Sequence, residues 1–214
     1  MLPACRVAVF IDGAFLYHVA RAQIADHRIA VSRFGSELTK AAQSMYSPAQ
    51  VMGIYYYTAP PDPSMGPQLI QAVQRFTDAL RHSPYVNVRL GRLDRARRRC
   101  ASCGTEGEVI VQKGVDMAIA MDVLALAYRD AYDLAILVTS DGDFSPLIQQ
   151  VRSLGKNVWV AFGARARSQA LNEAADFTFT MTDDFLRSCV VGAAATQGPA
   201  QLMPGGLNHG PFVV

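Results

Sequence analysis

Asp133–Phe162 reads DLAILVTSDGDFSPLIQQVRSLGKNVWVAF. Leu134 to Thr139 is an apolar run of strand length. Two carboxylates, Asp141 and Asp143, follow it at once, with Gly142 between them. Phe144 to Leu154 then has a helical pattern. It opens on Ser145, a capping residue, and Pro146, favoured in a first turn, and it closes at Gly155. Asn157 to Phe162 is a second apolar run. Strands that are apolar throughout lie in a sheet covered on both faces. Joined through helices, they make that sheet mostly parallel. The fold class read from this stretch is α/β.

The same alternation extends to both sides. Val7 to Ile11, Val51 to Thr58, Tyr85 to Leu90 and Phe177 to Thr180 read as further strands. Gly66 to His82 places Leu69, Ile70, Val73, Phe76 and Leu80 at a helical period. Val115 to Asp130, rich in Ala and Leu, and Ser168 to Ala175 read as two more helices. Pro60 to Pro67 and the basic, glycine-containing stretch from Arg92 to Gly107 read as loops. The expected organisation is one domain over residues 1–189 and a flexible Gly/Ala/Pro-rich tail over 190–214.

Composition narrows the function. The 214 residues, half of them hydrophobic, suffice for one core. A formal net charge of +2 gives no global field, so nucleic-acid binding would need a local basic patch. No run of about 18 apolar residues predicts a membrane span, and the first residues do not read as a secretion signal. Four cysteines are too few for a disulfide scaffold at this length, so a cytoplasmic setting is expected.

The carboxylates carry the chemistry. Asp12 follows the first strand and precedes Gly13; Asp141 and Asp143 follow another. In an open parallel sheet, ligands bind at the carboxyl ends of the strands. Asp12 alone is equally well explained as a helix cap. Ser145 already supplies a cap for the helix after Asp141 and Asp143, which frees both. Asp116 falls near the middle of the apolar stripe formed by Ile119, Ala120, Val123, Leu124, Leu126 and Ala127, where a carboxylate points at the sheet edge; stabilisation of the helix dipole is the plainer account. Asp122 lies on the flank of that stripe and reads as a rim residue. Four converging carboxylates repel one another without a cation, and hard oxygen ligands suit Mg²⁺ or Mn²⁺. Such a cation activates water and stabilises a phosphoryl oxyanion. No glycine-rich loop for phosphate follows the first strand, which disfavours a nucleotide cofactor.

Four strings, VAVFIDGAFLY (7–17), KGVDMAIAMDVLALA (113–127), the stretch 133–162 and SQALNEAADFTF (168–179), resemble the NYN domain family in its LabA-like branch, within the PIN-like nuclease superfamily. The resemblance spans roughly residues 6 to 187. It implies a three-layer α/β/α PIN-like fold and a divalent-metal ribonuclease. By position it implies Asp12, Asp116, Asp141 and Asp143 as metal-binding catalytic residues. Thr139 stands where a serine is usual, and Lys113 matches the lysine of KGVD. Phe15 departs from the pattern: relatives often carry Asn there, and a phenyl ring neither ligands a metal nor positions a water.

Arg92, Arg95, Arg97, Arg98 and Arg99 form a local basic cluster that, with Lys113, would hold an RNA backbone. A solvated surface loop is the plainer account of such a run. Cys100 and Cys103 form a C-x-x-C. A structural zinc there needs two more ligands, which only a homodimer could supply, and a plain thiol-bearing loop is the commoner account. The sequence therefore points to a metal-dependent endoribonuclease acting on RNA. A catalytically weak or inactive RNA- or protein-binding module is the alternative that Phe15 favours. An aspartyl-phosphate enzyme is a more remote one.

Overall fold

The computed structural model describes residues 3–64, 66–99, 104–165 and 168–192. Six strands form one sheet: β1 (Cys5–Asp12), β2 (Ala49–Thr58), β3 (Val86–Leu90), β6 (Leu134–Val138), β7 (Asn157–Gly163) and β8 (Phe177–Met181). Their spatial order is β3-β2-β1-β6-β7-β8, and every neighbouring pair is parallel.

Successive side chains of a strand point to opposite faces, and here both faces are covered. Val7, Val9, Ile11, Leu134, Ile136 and Val138 belong to one core, together with Leu16 and Val19 of α1 (Gly13–Gln23) and Phe34 and Leu38 of α2 (Val31–Ala42). Leu80 of α3 (Pro67–Arg81) and Leu186 of α7 (Asp183–Ser188) close that layer. Ala8, Phe10, Ala135 and Leu137 face the second core. They meet Ile119 and Val123 of α4 (Val115–Tyr128), Ile148 of α5 (Ser145–Ser153) and Leu171 of α6 (Gln169–Ala174). The result is a three-layer α/β/α fold.

The pairing of β1 with β6 crosses the greatest sequence distance in the sheet. Arg6 fixes it from below: its backbone N–H donates to Asp133 Oδ2 at 2.8 Å, and its guanidinium reaches Asp133 Oδ1 at 2.7 Å. From β1 the chain turns towards β2 and β3; from β6 it turns towards β7 and β8. The crevice beyond the carboxyl ends of β1 and β6 is therefore the topological switch point, where open α/β sheets bind their ligands.

The structure changes several expectations. Most of the stretch expected as a basic loop is strand. Arg92–Arg99 is β4, paired antiparallel with β5 (Glu106–Lys113) in a separate two-stranded ribbon. β4 is dominated by arginine and carries no apolar run, so its strand character comes from cross-strand partners such as Glu106 and Glu108 opposite Arg99 and Arg97. The helices α1, α2 and α7 were not foreseen. In α2 the buried face holds Val31, Phe34, Gly35, Leu38, Thr39 and Ala42, and Gly35 leaves a gap in its apolar pattern: a Cβ there would lie 2.4 Å from Ile54 Cδ1, so only glycine lets this helix pack so close to β2. At the other end of the domain, Val190 bridges to Ile29 and the Val191 N–H donates to the Arg28 carbonyl. The first residues assigned to the tail thus belong to the fold; 193–214 lie outside the described residues.

Candidate active site

Asp12 is the last residue of β1 and the N-cap of α1. Its Oδ1 accepts from the backbone N–H groups of Ala14 at 3.0 Å and Phe15 at 3.1 Å. Capping, one of the two readings open for Asp12, is thus realised, and at the switch point. Ile11 lies beside Val138 in register, so Asp12 and Thr139 leave neighbouring strands side by side. The Asp141 N–H donates to Thr139 Oγ1 at 3.2 Å, and Asp141 Oδ1 accepts from the Asp143 N–H at 3.0 Å. Asp141 therefore caps a single 3₁₀ turn, Gly142–Phe144, that leads into α5. Ser145 does not cap: Phe144 is the N-cap of α5, and no side chain bonds there. The extra 3₁₀ turn moves the capping position four residues back, to a carboxylate.

Asp116 arrives from a third element. It lies in the first turn of α4, after Gly114 in the left-handed region at φ 81°. It does not sit in the middle of the buried stripe. Val115, Ile119, Val123 and Ala127 are buried, and Asp116 is exposed at their edge. The outward face of the same helix carries Met117, Met121 and Tyr128, all mostly exposed.

The carboxylates act on one another. Burial pushes the Asp12 pKa up, and the charges of Asp116 and Asp141 add to that, against the lowering effect of the Phe15 and Ala14 N–H groups. Desolvation followed by the charges of Asp141 and Asp143 raises Asp116. Four carboxylates from β1, α4 and the β6–α5 turn thus share one field at the switch point. Among the described residues, no three His, Cys, Asp or Glu side chains converge closely enough to enclose a metal ion by themselves. Mg²⁺, however, keeps several waters and is commonly held through one or two carboxylates. The donor set, all hard oxygens under mutual repulsion, fits such a cation.

The sequence profile of the NYN domain family matches residues 6–183. The chain belongs to the NYN domain family. NYN domains are PIN-like, nuclease-type modules and are generally RNA-associated. A crystal structure of a protein of unknown function from Vibrio parahaemolyticus is similar in fold. Its TM-score is 0.59 at 23% identity, over 86% of this chain and 99% of that one. No curated protein matches the sequence.

In this NYN domain the ribbon runs directly into the site, since β5 ends at Lys113 and α4 begins two residues later. Its charges are interleaved. Lys113 pairs with Asp94 at 2.9 Å and Arg95 with Glu108 at 3.4 Å, and Arg99 Nε donates to the Gly104 carbonyl at 2.9 Å. Arg92 stands opposite Lys113, and Arg97 opposite Glu108. The Arg98 side chain, and Cys100 and Cys103 with the zinc reading placed on them, lie outside the described residues.

Two features escaped the sequence. Asp122 is not a rim residue. Its Oδ2 accepts from Tyr57 Oη at 2.9 Å and from Arg89 Nε at 2.9 Å, which ties α4 to β2 and β3. Burial, then the Asp122 charge, raises the Tyr57 phenol far above its ordinary range. The two partners are 65 residues apart, and no local pattern marks them. Ser168 is the other: its hydroxyl lies against Gly142, where a Cβ would come within 3.3 Å of it. Among the described residues no helix is long and apolar enough to cross a membrane.

Proposed function

We propose that this NYN domain, with its LabA-like KGVD and SDGDF motifs, is a metal-dependent endoribonuclease. The supporting observation is the clustering of Asp12, Asp116, Asp141 and Asp143 at the switch point, where burial first and their mutual charge second raise the pKa of Asp12 and Asp116. Asp12 and Asp141, each anchored through Oδ1 to backbone N–H groups, would form the fixed half of a Mg²⁺ or Mn²⁺ site. Asp116 and Asp143 would face it through waters that the cation keeps. The cation supplies a lowered water pKa and charge neutralisation at a phosphoryl oxygen. Thr139 holds the Asp141 N–H and so orients the turn that carries both carboxylates. Lys113, Arg92, Arg95, Arg97, Arg98 and Arg99 would hold the RNA backbone beside it. The test is cleavage of labelled single-stranded and structured RNAs with Mg²⁺, Mn²⁺ or chelator. Cation-dependent cleavage is expected in the native chain and not in the Asp141→Asn, Asp143→Asn variant. Equal cleavage by both would end the assignment.

A second reading rests on Phe15. Its N–H serves Asp12, while its ring is half-buried against the core on the α1 side and brings no polar atom. That arrangement suits an RNA-binding module without turnover. Such a module would bind RNA with chelator present and cleave none, and Phe15→Asn is the variant expected to confer or raise turnover.

A further inference from the structure

We infer that Asp122 is a positioning residue of the acidic site: its contact with Tyr57 and Arg89 sets the rotation of α4 about its axis and so aims Asp116 at the edge where Asp12 stands. This rests on the nuclease reading above.

An amphipathic helix is turned into its seat by the contrast between its faces. In α4 that contrast is nearly absent. Val115, Ile119, Val123 and Ala127 are buried, yet Met117 and Met121 on the outward face are apolar too and mostly exposed. Burial alone therefore discriminates weakly between neighbouring settings of this helix. Its start is not held by a cap either: Gly114 precedes it in the left-handed region, and no side chain bonds there. A directional contact has to choose the setting. The polar side chains of α4 are Asp116, Asp122 and Tyr128, and among the described residues only Asp122 hydrogen-bonds to another element. Tyr132 Oη also donates to the Val123 carbonyl at 2.9 Å. A carbonyl, however, recurs at every residue of a helix, whereas α4 presents a carboxylate on this side once.

The two donors are themselves fixed. Both bond the same oxygen, Asp122 Oδ2, each at 2.9 Å. Tyr57 is buried in β2 and pairs in register with Asp12 of β1. The Arg89 guanidinium lies over the Tyr55 ring at 5.9 Å, and that ring is stacked on Phe10 at 5.0 Å. α4 is therefore keyed to the residue beside Asp12. Asp116 lies about 9 Å from Asp122 along the helix axis and about 120° around it. Side chains reach about 5–6 Å from the axis, so a turn of about 20° would carry the Asp116 carboxylate about 2 Å. Mg²⁺ demands near-ideal octahedral geometry, and a carboxylate displaced that far no longer meets the waters around the ion. A half-buried carboxylate adds little stability of its own; fixing one arrangement among near-equals is what such a group contributes.

The experiment separates aim from stability. In the full chain, Asp122→Leu with Tyr57→Phe removes acceptor and donor together, so no buried polar group is orphaned and the thermal midpoint is expected to stay near the native value. Arg89 is exposed and keeps water as its partner. Mn²⁺ affinity, read by electron paramagnetic resonance, is expected to fall about tenfold or more, as it does when an orienting contact outside the ligand shell is lost. Asp122→Asn, whose amide oxygen can accept both bonds, is expected to keep near-native affinity. The backbone amide resonances of Val115–Tyr128, followed by NMR without metal, read the helix directly. In the double variant they are expected to move along the whole of α4 as far as Asp116, and in Asp122→Asn to stay in place. If the double variant does not fold, Tyr57→Phe alone takes its place, with the same pattern expected in smaller measure. Native affinity in the double variant, amide shifts confined to the neighbours of residues 57 and 122, or an equal loss of affinity in Asp122→Asn would overturn the positioning role. A native chain that takes up no Mn²⁺ would end the metal-site reading, while the amide pattern would still decide what sets α4.

Discussion

At Asp12, one side chain serves two ends that conflict. As a cap it stabilises α1; as a buried anion among other carboxylates it destabilises the fold. Its pKa is raised in the folded chain, so its favourable contribution is complete at pH values below the unfolded carboxylate range. That contribution is lost as pH rises through the folded pKa. Asn caps as well as Asp does, and its amide oxygen can accept the same two N–H groups. Asp12→Asn, in chelator, should therefore raise the thermal midpoint at neutral pH, by about 2–4 °C for each kcal/mol relieved at this chain length. The gain should shrink to nothing as pH falls below the carboxylate range. Calorimetric scans of both chains from acid to neutral pH check this. At this scale the sequence was informative about which residues matter but not about what each one bonds. The carboxylates were legible because each abuts a strand end or a helix start. The choice between Ser145 and Asp141 as cap was not, because it turns on a single 3₁₀ turn that no residue type requires.

Elements reveal how the site is braced and fed. Asp122 joins α4 to the sheet through Tyr57 and Arg89. Asp122→Ala leaves the buried Tyr57 hydroxyl without its acceptor and should cost about 1–3 kcal/mol. Tyr57→Phe, which removes the donor instead, should cost less; urea unfolding of the two variants gives the order. In the ribbon, Glu108 opposes Arg97 and pairs with Arg95. Glu108→Gln should release positive charge, tighten RNA binding at low salt and steepen its salt dependence by about 0.7 for each added phosphate contact to a single strand. A filter-binding series in increasing KCl reads both. The four inner strands were legible because burial on two faces forces continuous apolar runs, the edge strands β3 and β8 because they alternate, and the ends of all six fall within two residues of the expected positions. The ribbon was not, because its order comes from cross-strand charge and not from burial. α2 was hidden by Gly35, whose value lies in Ile54 of another element.

At the scale of the whole molecule, the acidic edge is a store of unfavourable charge that a bound cation would relieve. Mn²⁺ or Mg²⁺ should therefore raise the thermal midpoint of the native chain, increasingly with concentration, as any ligand selective for the folded state does. The Asp141→Asn, Asp143→Asn chain should respond weakly or not at all. A differential scanning titration separates this from general salt effects, with KCl as the control. The layering and the parallel sheet were readable from strand and helix alternation, but the order of the four inner strands was not, because each of their apolar runs is equally suited to a central place. That order has a consequence in time. β1 is made first, yet it sits at the centre of the sheet and must wait for β6, with Arg6 and Asp133 separated by 127 positions along the chain. Long-range parallel pairing of this kind is slow to form. A chain still being synthesised carries Asp12 without its companions, so the acidic edge comes into being only when the segment through Asp143 has also been made.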